Sequence, residues 1–181
     1  MKVERTALAE VLVLEPKVFG DARGHFFESY NRRSFAQATG LDVEFVQDNH
    51  SSSSRNVLRG LHYQLRQPQG KLVRVTTGEI WDVAVDLRRS SKSFGRWAAV
   101  RLSAETRRML WVPAGFAHGF IVLSAHAEVQ YKATDYYAPE HERALLWNDA
   151  ALAIDWPLAG EPLMNDKDRR AKPLAAAETF D

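Results

Sequence analysis

Cysteine is the most informative absence in this chain, because none of its 181 residues is a cysteine. That absence excludes disulfides, thiolate nucleophiles and metal sites built on cysteine. An excess of charge is also missing: the net charge is +1, so the electrostatics do not favour nucleic acid as a partner. No apolar run approaches the roughly 18 residues of a membrane span, and the first residues lack the apolar core of a secretory signal peptide. These absences predict a cytoplasmic protein with no nucleic-acid or membrane partner.

The composition is that of an ordinary folded protein, with 45% hydrophobic and 26% charged residues. The chain is long enough for one substantial core and contains no linker or repeat, so residues 1–181 are predicted to form a single domain. Short apolar stretches arrive about every 8 to 12 residues with glycine or proline between them. That spacing is typical of an all-β sandwich or barrel.

Three local patterns predict individual elements. Residues 31–40, NRRSFAQATG, predict a short helix with Gly40 just past its end. Residues 51–54 are four serines without apolar side chains and predict a loop, and further helix is expected only in the tail after Pro139. Residues 80–87 alternate with period two, which places Trp81, Val83, Val85 and Leu87 on one strand face and Ile80, Asp82, Ala84 and Asp86 on the other.

The stretch VLRGLHYQLRQPQGK, residues 57–71, concentrates polar chemistry that a connecting segment does not need. Arg59 and Lys71 can bind an anion, and His62 can act as a base near neutral pH. Together they predict a pocket for an anionic ligand with a base beside it. The simpler alternative is a basic surface strand that carries one structural histidine.

A second polar stretch, WVPAGFAHGF, adds His118 on a corner formed by Pro113 and Gly115. The spacing of these three residues resembles the second motif of metal-binding cupin barrels. Those barrels normally also present a His-x-His pair and a glutamate, whereas here His62 is followed two residues later by Gln64. A stable transition-metal site needs about three good ligands, so the sequence predicts no metal.

Acid–base chemistry without a metal is the alternative for these residues. Tyr131 lies in a strand pattern with polar neighbours and can donate a proton, and Lys71 can stabilise a developing oxyanion. Asp168, in the polar run NDKDRR, can orient an imidazole as its carboxylate partner. The structural alternatives are that Tyr131 is a packed strand aromatic and Asp168 a solvated charge in the tail.

Many separate motifs of the chain resemble the dTDP-4-dehydrorhamnose 3,5-epimerase family, in family order and over nearly the whole length. The resemblance implies a jelly-roll barrel of the double-stranded β-helix (cupin-like) type with short peripheral helices. It also implies a homodimer, no metal or organic cofactor, and a dTDP-linked 4-keto-6-deoxy sugar as substrate. The motifs are FGDARGHFFESY, FVQDNHSSS, VLRGLHYQ, QGKLVRV, GEIWDVAVDLRRSS, FGRW, LWVPAGFAHGF, AEVQYKATDYYAPE, WND and NDKD.

Carried over motif by motif, the resemblance implies a role for each candidate residue. His62 is the base, Tyr131 the acid, Asp168 the partner of His62, and Lys71 the group that stabilises the enolate at C4. Substrate binding is implied for Arg23 and Arg59 at the phosphates, for Glu28, Gln47, Asn49 and Tyr137 at the nucleotide, and for His118, Glu142 and Lys167 around the pocket.

Three other functions stay open on the sequence alone. The motifs do not exclude a relative that inverts only C3 or only C5, or one that acts on another 4-keto nucleotide sugar. A non-catalytic β-barrel that binds a sugar nucleotide needs the arginines but not the set of His62, Lys71, Tyr131 and Asp168. A metal-dependent cupin requires a bound metal.

Overall fold

The computed structural model covers residues 1–181 and consists mainly of β-strands. One short α-helix lies between strands and a second follows the last strand, and 3-10 turns occupy Pro139–His141 and Leu174–Ala176. Neither helix is long or apolar enough to cross a membrane. The strands are β1 Lys2–Arg5, β2 Leu12–Glu15, β3 Val18–Asp21, β4 Gly24–Phe27, β5 Gln47–Ser54, β6 Leu58–Gln64, β7 Lys71–Thr77, β8 Glu79–Asp86, β9 Trp97–Ser103, β10 Met109–Val112, β11 Phe116–Val122, β12 His126–Ala133 and β13 Glu142–Ala144, and the helices are α1 Arg32–Thr39 and α2 Asp166–Arg169.

Two antiparallel sheets pack face to face and enclose the main core. The first has the strand order β1-β2-β10-β7-β12-β5 and the second β13-β6-β11-β8-β9. Apart from the pairs β1–β2 and β8–β9, neighbours in the sheets are not consecutive in sequence. This order is typical of a jelly roll, in which the chain crosses repeatedly from one sheet to the other. Strands β3 and β4 form a separate two-stranded hairpin. The predicted all-β jelly-roll barrel is confirmed.

Strand β8 shows how the alternation of the sequence creates the inside of the barrel. Ile80 and Ala84 lie in the core between the two sheets, whereas Val83 and Val85 pack in a second cluster that includes Leu145, Leu152 and Trp156 of the C-terminal segment. Both faces of the strand are therefore apolar and buried, and the predicted period of two is confirmed. Asp82 shares the inner face with Ile80 and Ala84, and its side chain is fully buried.

Helix α1 forms where the sequence predicts it. Asn31 caps its start, since the side-chain oxygen accepts a hydrogen bond from the Ser34 N–H at 3.1 Å. Gly40 ends it in the left-handed conformation, with φ of 74°. The helix buries Phe35, whose ring packs edge-on against Trp111 at a centroid distance of 5.6 Å. The helix thereby covers part of the outer face of the six-stranded sheet.

The prediction of a loop at residues 51–54 is wrong. These serines are the second half of strand β5, where Ser51 pairs with Val129 and Ser53 with Ala127 of β12. The pairing uses backbone N–H and C=O groups, which serine carries like any other residue. Because β5 is an edge strand, its side chains need no apolar partner on a second neighbouring strand.

Candidate active site

The candidate residues lie on the inner faces of neighbouring strands. Lys71, Asp82 and His118 each stand two residues from core residues of their own strand and therefore share the core-facing side. Tyr131 packs against the core itself. His62 alternates with Leu61 and Tyr63, which face the C-terminal segment, so its ring points to the opposite side, into the barrel. In the ladder, His62 of β6 pairs directly with His118 of β11. Strands from both sheets thus bring together residues that are distant in the sequence.

His62 and Asp168 are in direct contact at the wall of the barrel. The Nε2 atom of His62 lies 2.6 Å from Asp168 Oδ1, and the Gly60 N–H donates to Asp168 Oδ2 at 3.1 Å. Burial disfavours ionisation of Asp168, but the hydrogen bonds from His62 and Gly60 outweigh it and lower the pKa of the carboxyl. The predicted proximity of these residues is present, and a permanent carboxylate beside the ring can stabilise an imidazolium.

The position of Asp168 depends on helix α2, at the far end of the chain. Asn165 caps that helix by accepting the Asp168 N–H at 2.7 Å, and the short helix sets the carboxylate beneath β6. The side chain of Asp168 is fully buried. The alternative of a solvated charge in the tail is therefore wrong.

Lys71 places a buried ammonium in the barrel. Burial lowers its pKa to about 8, while the negative charges of Asp82 and Glu142 act in the opposite direction. The Lys71 Nζ atom lies 5.9 Å from the centre of the Tyr131 ring. Burial also raises the pKa of Tyr131 above its ordinary value. The tyrosine is therefore a protonated phenol at neutral pH and can donate a proton to an anionic carbon centre.

His118 is paired with a carboxylate that sequence reasoning did not select as a site residue. Its Nε2 atom lies 2.5 Å from Asp82 Oδ1, and both side chains are buried. The signal was present in the sequence: Asp82 stands on the same strand face as Ile80 and Ala84, which is an apolar face. A carboxylate at such a position is costly unless it has a partner or a function.

A polar rim connects the remaining residues. The Tyr137 hydroxyl donates to Glu142 Oε2 at 2.7 Å, and Lys167 forms an ion pair with the same carboxylate. Burial raises the pKa of Glu142, but the hydrogen bonds from Lys167 and Tyr137 outweigh this effect and leave the pKa below its ordinary value. Gln47 accepts the Tyr137 N–H at 2.9 Å and donates to Asn49 Oδ1 at 2.9 Å. The buried Asn49 Nδ2 has no hydrogen-bond partner.

Arg59 supplies positive charge next to this rim. Its Nε donates to Ser53 Oγ at 3.0 Å, and Nη2 donates to the Ser52 carbonyl at 3.3 Å. These bonds orient the guanidinium, but no carboxylate neutralises it. An exposed, oriented and unpaired guanidinium is suited to a phosphate oxygen.

Two predicted binding residues do not join this site within the chain. Arg23 lies at the turn of the β3–β4 hairpin and is bonded to Asp21 at 2.6 Å. Glu28 accepts a hydrogen bond from Asn31 at 3.0 Å. Neither forms a hydrogen bond or ion pair with the barrel residues, because neither hairpin strand pairs with the two main sheets.

The donor set does not form a metal-binding cluster. No three histidine, aspartate or glutamate side chains come together in an arrangement that could hold a metal ion. The arrangement instead combines a base with its carboxylate partner, a phenol, a buried ammonium and a cationic rim. Chemically, it can remove a proton next to a carbonyl and return one to an anionic substrate.

Comparison with known proteins identifies relatives across nearly the whole chain. The family model described as dTDP-4-dehydrorhamnose 3,5-epimerase matches residues 5–176. A dTDP-4-dehydrorhamnose 3,5-epimerase of Pseudomonas aeruginosa is 62% identical over 180 residues, which is 99% of both chains. The structure of the dTDP-6-deoxy-D-glucose-3,5-epimerase of Legionella pneumophila in complex with dTDP-4-keto-L-rhamnose has a TM-score of 0.96 and 49% identity, and covers 98% of this chain and 94% of that one. A 3'-monoepimerase of Streptomyces bikiniensis, in complex with dTDP-quinovose, has a TM-score of 0.89 and 35% identity over 97% of this chain and 88% of that one.

Proposed function

The chain belongs to the dTDP-4-dehydrorhamnose 3,5-epimerase family, and we propose that His62 and Tyr131 are the base and acid with which it performs this reaction. The enzyme converts dTDP-4-dehydro-6-deoxy-D-glucose to dTDP-4-dehydro-L-rhamnose by inverting C3 and C5. The observation that carries the residue assignment is the contact of 2.6 Å between His62 and the buried Asp168, in the same barrel interior as Lys71 and Tyr131.

The chemistry follows from the ketone at C4. A carbonyl acidifies the C–H bonds on both neighbouring carbons, so His62 takes a proton from C3 or C5 and the electron pair moves to the C4 oxygen. Lys71 stabilises the resulting enolate by its positive charge, and Asp168 stabilises the imidazolium of His62. Tyr131 then donates a proton to the same carbon from the opposite face, which inverts the centre and restores the ketone.

The remaining residues hold the nucleotide part of the substrate. Arg59 binds diphosphate oxygens, supported by its lack of a carboxylate partner. Asn49 offers the unpartnered donor Nδ2 to the ligand, and Gln47 orients it. The exposed ring of Tyr137 packs on the nucleotide's base, and its hydroxyl is hydrogen-bonded to Glu142. Lys167 and His118 complete the pocket.

A homodimer in the cytoplasm is part of the proposal. The β3–β4 hairpin exposes the aromatic side chains of Phe19, at 54%, and Phe26, at 69%, and such a pair on an isolated hairpin favours contact with another protein surface. The same hairpin carries Arg23. A second copy of the chain accounts for both facts, because its barrel can receive the hairpin and with it the predicted phosphate ligand.

Inversion of C3 alone is the second candidate, favoured by the close fold similarity to a 3'-monoepimerase. The full-length identity of 62% to a 3,5-epimerase favours double inversion. A binding protein without activity is disfavoured, since binding alone does not need a histidine with a buried carboxylate partner.

Two substitutions test the residue assignment, one at the proposed base and one at its carboxylate partner. We expect His62→Ala to lose product formation, measured by NMR of the converted sugar nucleotide, and Asp168→Asn to lower kcat by roughly 10²- to 10⁴-fold, the usual effect of a general base. Affinity for dTDP, measured by calorimetry, should stay near wild type, because neither residue is assigned to the nucleotide.

The control is His126→Ala, which removes an exposed histidine from the outer face of the same barrel. It should keep wild-type turnover. If His62→Ala is folded and also turns over at the wild-type rate, another group is the base and the assignment is wrong.

A further inference from the structure

Asp82 has no role in the reaction described above, although it lies among the residues that do. Its side chain is fully buried on the inner face of β8. Oδ1 lies 2.5 Å from His118 Nε2, whereas Oδ2 is buried and has no hydrogen-bond partner. A buried carboxylate oxygen without a donor is costly, so its presence at the centre of the barrel indicates a function.

We propose that Asp82 is a positioning residue that acts through Lys71 and His118: its charge holds Lys71 as an ammonium, and its hydrogen bond fixes the His118 ring. This inference rests on the proposed role of Lys71 at the C4 oxygen. Asp82 itself does not contact the reacting atoms in this account.

The effect on Lys71 follows from the charges around it. The Lys71 ammonium forms no salt bridge, and burial alone would favour its neutral form. Two carboxylates oppose this effect, Asp82 more strongly than Glu142. Glu142 already has its own cation, because it pairs with Lys167. Asp168 is paired with His62, and Tyr131 and His118 carry no negative charge, so Asp82 is the principal counter-charge of Lys71.

The effect on His118 follows from the hydrogen bond. A carboxylate can only accept, so His118 Nε2–H is the donor and the ring is fixed with Nδ1 as its free nitrogen. The same arrangement holds on the neighbouring strand β6, where His62 uses Nε2 toward Asp168. The barrel therefore contains two histidine–aspartate pairs, and their histidines occupy directly paired strand positions.

Asp82→Asn separates charge from hydrogen bonding, because the amide oxygen still accepts from His118 while the negative charge is lost. Without that charge the pKa of Lys71 falls further below about 8, and the ammonium is lost at lower pH. We expect the alkaline limb of the kcat profile to move down by about one to two pH units, and kcat at pH 8 to fall roughly 5- to 50-fold. Near pH 6 kcat should stay within about twofold of wild type, and dTDP affinity should be unchanged.

The matched control is Asp86→Asn, four residues further along the same strand. Asp86 is equally buried but is bonded to Arg88, Ser91 and Ser93 instead of the pocket. This variant should keep the wild-type alkaline limb even where its stability falls, which separates an electrostatic effect on Lys71 from general loss of a buried carboxylate.

Direct titration of the Lys71 side chain by NMR measures a midpoint that would not change if the role of Asp82 were only structural. In the wild type we expect a midpoint near pH 8, and in Asp82→Asn a clearly lower one. An unchanged alkaline limb and an unchanged Lys71 midpoint in Asp82→Asn would overturn the proposal. Should that variant not fold, a wild-type midpoint below about pH 7 would overturn it as well, since Lys71 would then be largely neutral despite Asp82.

Lys71→Met distinguishes failure of this inference from failure of the proposed function. If Lys71→Met is folded and fully active, the role of Lys71 in the reaction is wrong. If Lys71→Met is inactive while Asp82→Asn has the wild-type pH profile, the reaction stands and only the role of Asp82 is wrong.

Discussion

At the residue scale, the partner beside each titratable side chain decides what it can do. His62 and His118 both have a buried aspartate at Nε2, whereas the carboxylate beside His50 and His126 on the outer face is the partly exposed Glu128. The sequence contains six histidines, and their spacing alone does not separate these two pairs. The difference arises because the fold brings Asp82 and Asp168 into the barrel from β8 and α2.

Tyr131 carries the residue-scale prediction that separates inversion from proton exchange. A base on one face of the sugar can exchange a proton but cannot invert the centre, so a second group must donate from the other face. For Tyr131→Phe we expect solvent deuterium to enter the substrate with retained configuration. The inverted product should form more slowly by a factor of at least about 10². NMR of the sugar nucleotide measures both rates in one sample.

The control for this prediction is Tyr136→Phe, which changes an exposed tyrosine near the rim. It should leave both rates unchanged. If Tyr131→Phe inverts at the wild-type rate, the donor is another group, and if exchange also disappears in a folded variant, Tyr131 is needed for proton removal or substrate placement.

At the scale of elements, the sequence predicted those helices and strands whose formation depends on neighbouring residues. Helix α1 follows from its cap Asn31, its apolar Phe35 and the terminal Gly40, and β8 follows from strict alternation. The strand at residues 51–54 could not be predicted in this way, because its order comes from backbone pairing with β12, about 75 residues later in the chain. The burial of the Asp168 carboxylate could not be predicted from local sequence either, because it depends on the packing of α2 under β6.

The cap of α1 gives a stability prediction at this scale. Asn31→Ala removes the hydrogen bond to the Ser34 N–H, and we expect the free energy of unfolding to fall by about 1 kcal/mol. Urea unfolding followed by circular dichroism measures it. Gln37→Ala, at an exposed helix position, should change the free energy by less than about 0.5 kcal/mol. Equal effects from both substitutions would contradict the capping role.

At the scale of the whole molecule, the separate β3–β4 hairpin connects the fold to the proposed homodimer. We expect light scattering to give a particle of twice the 20.5 kDa chain mass. If a second copy receives the hairpin, mixed dimers of His62→Ala with Arg23→Ala recover activity, since one barrel then has both residues. A monomer that turns over at full rate would contradict the dimer, and absence of recovery in verified mixed dimers would contradict the crossing of the hairpin.

The central claim is that this barrel removes and returns protons on both sides of the C4 ketone. The most direct measurement is to incubate the wild-type protein with dTDP-4-dehydro-6-deoxy-D-glucose in deuterated water and to follow C3 and C5 by NMR. We expect deuterium at both carbons of the inverted product, because His62 takes a proton from each and solvent-exchanged Tyr131 returns one. Deuterium at C3 alone would make the protein a single-site epimerase, and no deuterium at either carbon, with the nucleotide bound, would contradict the account.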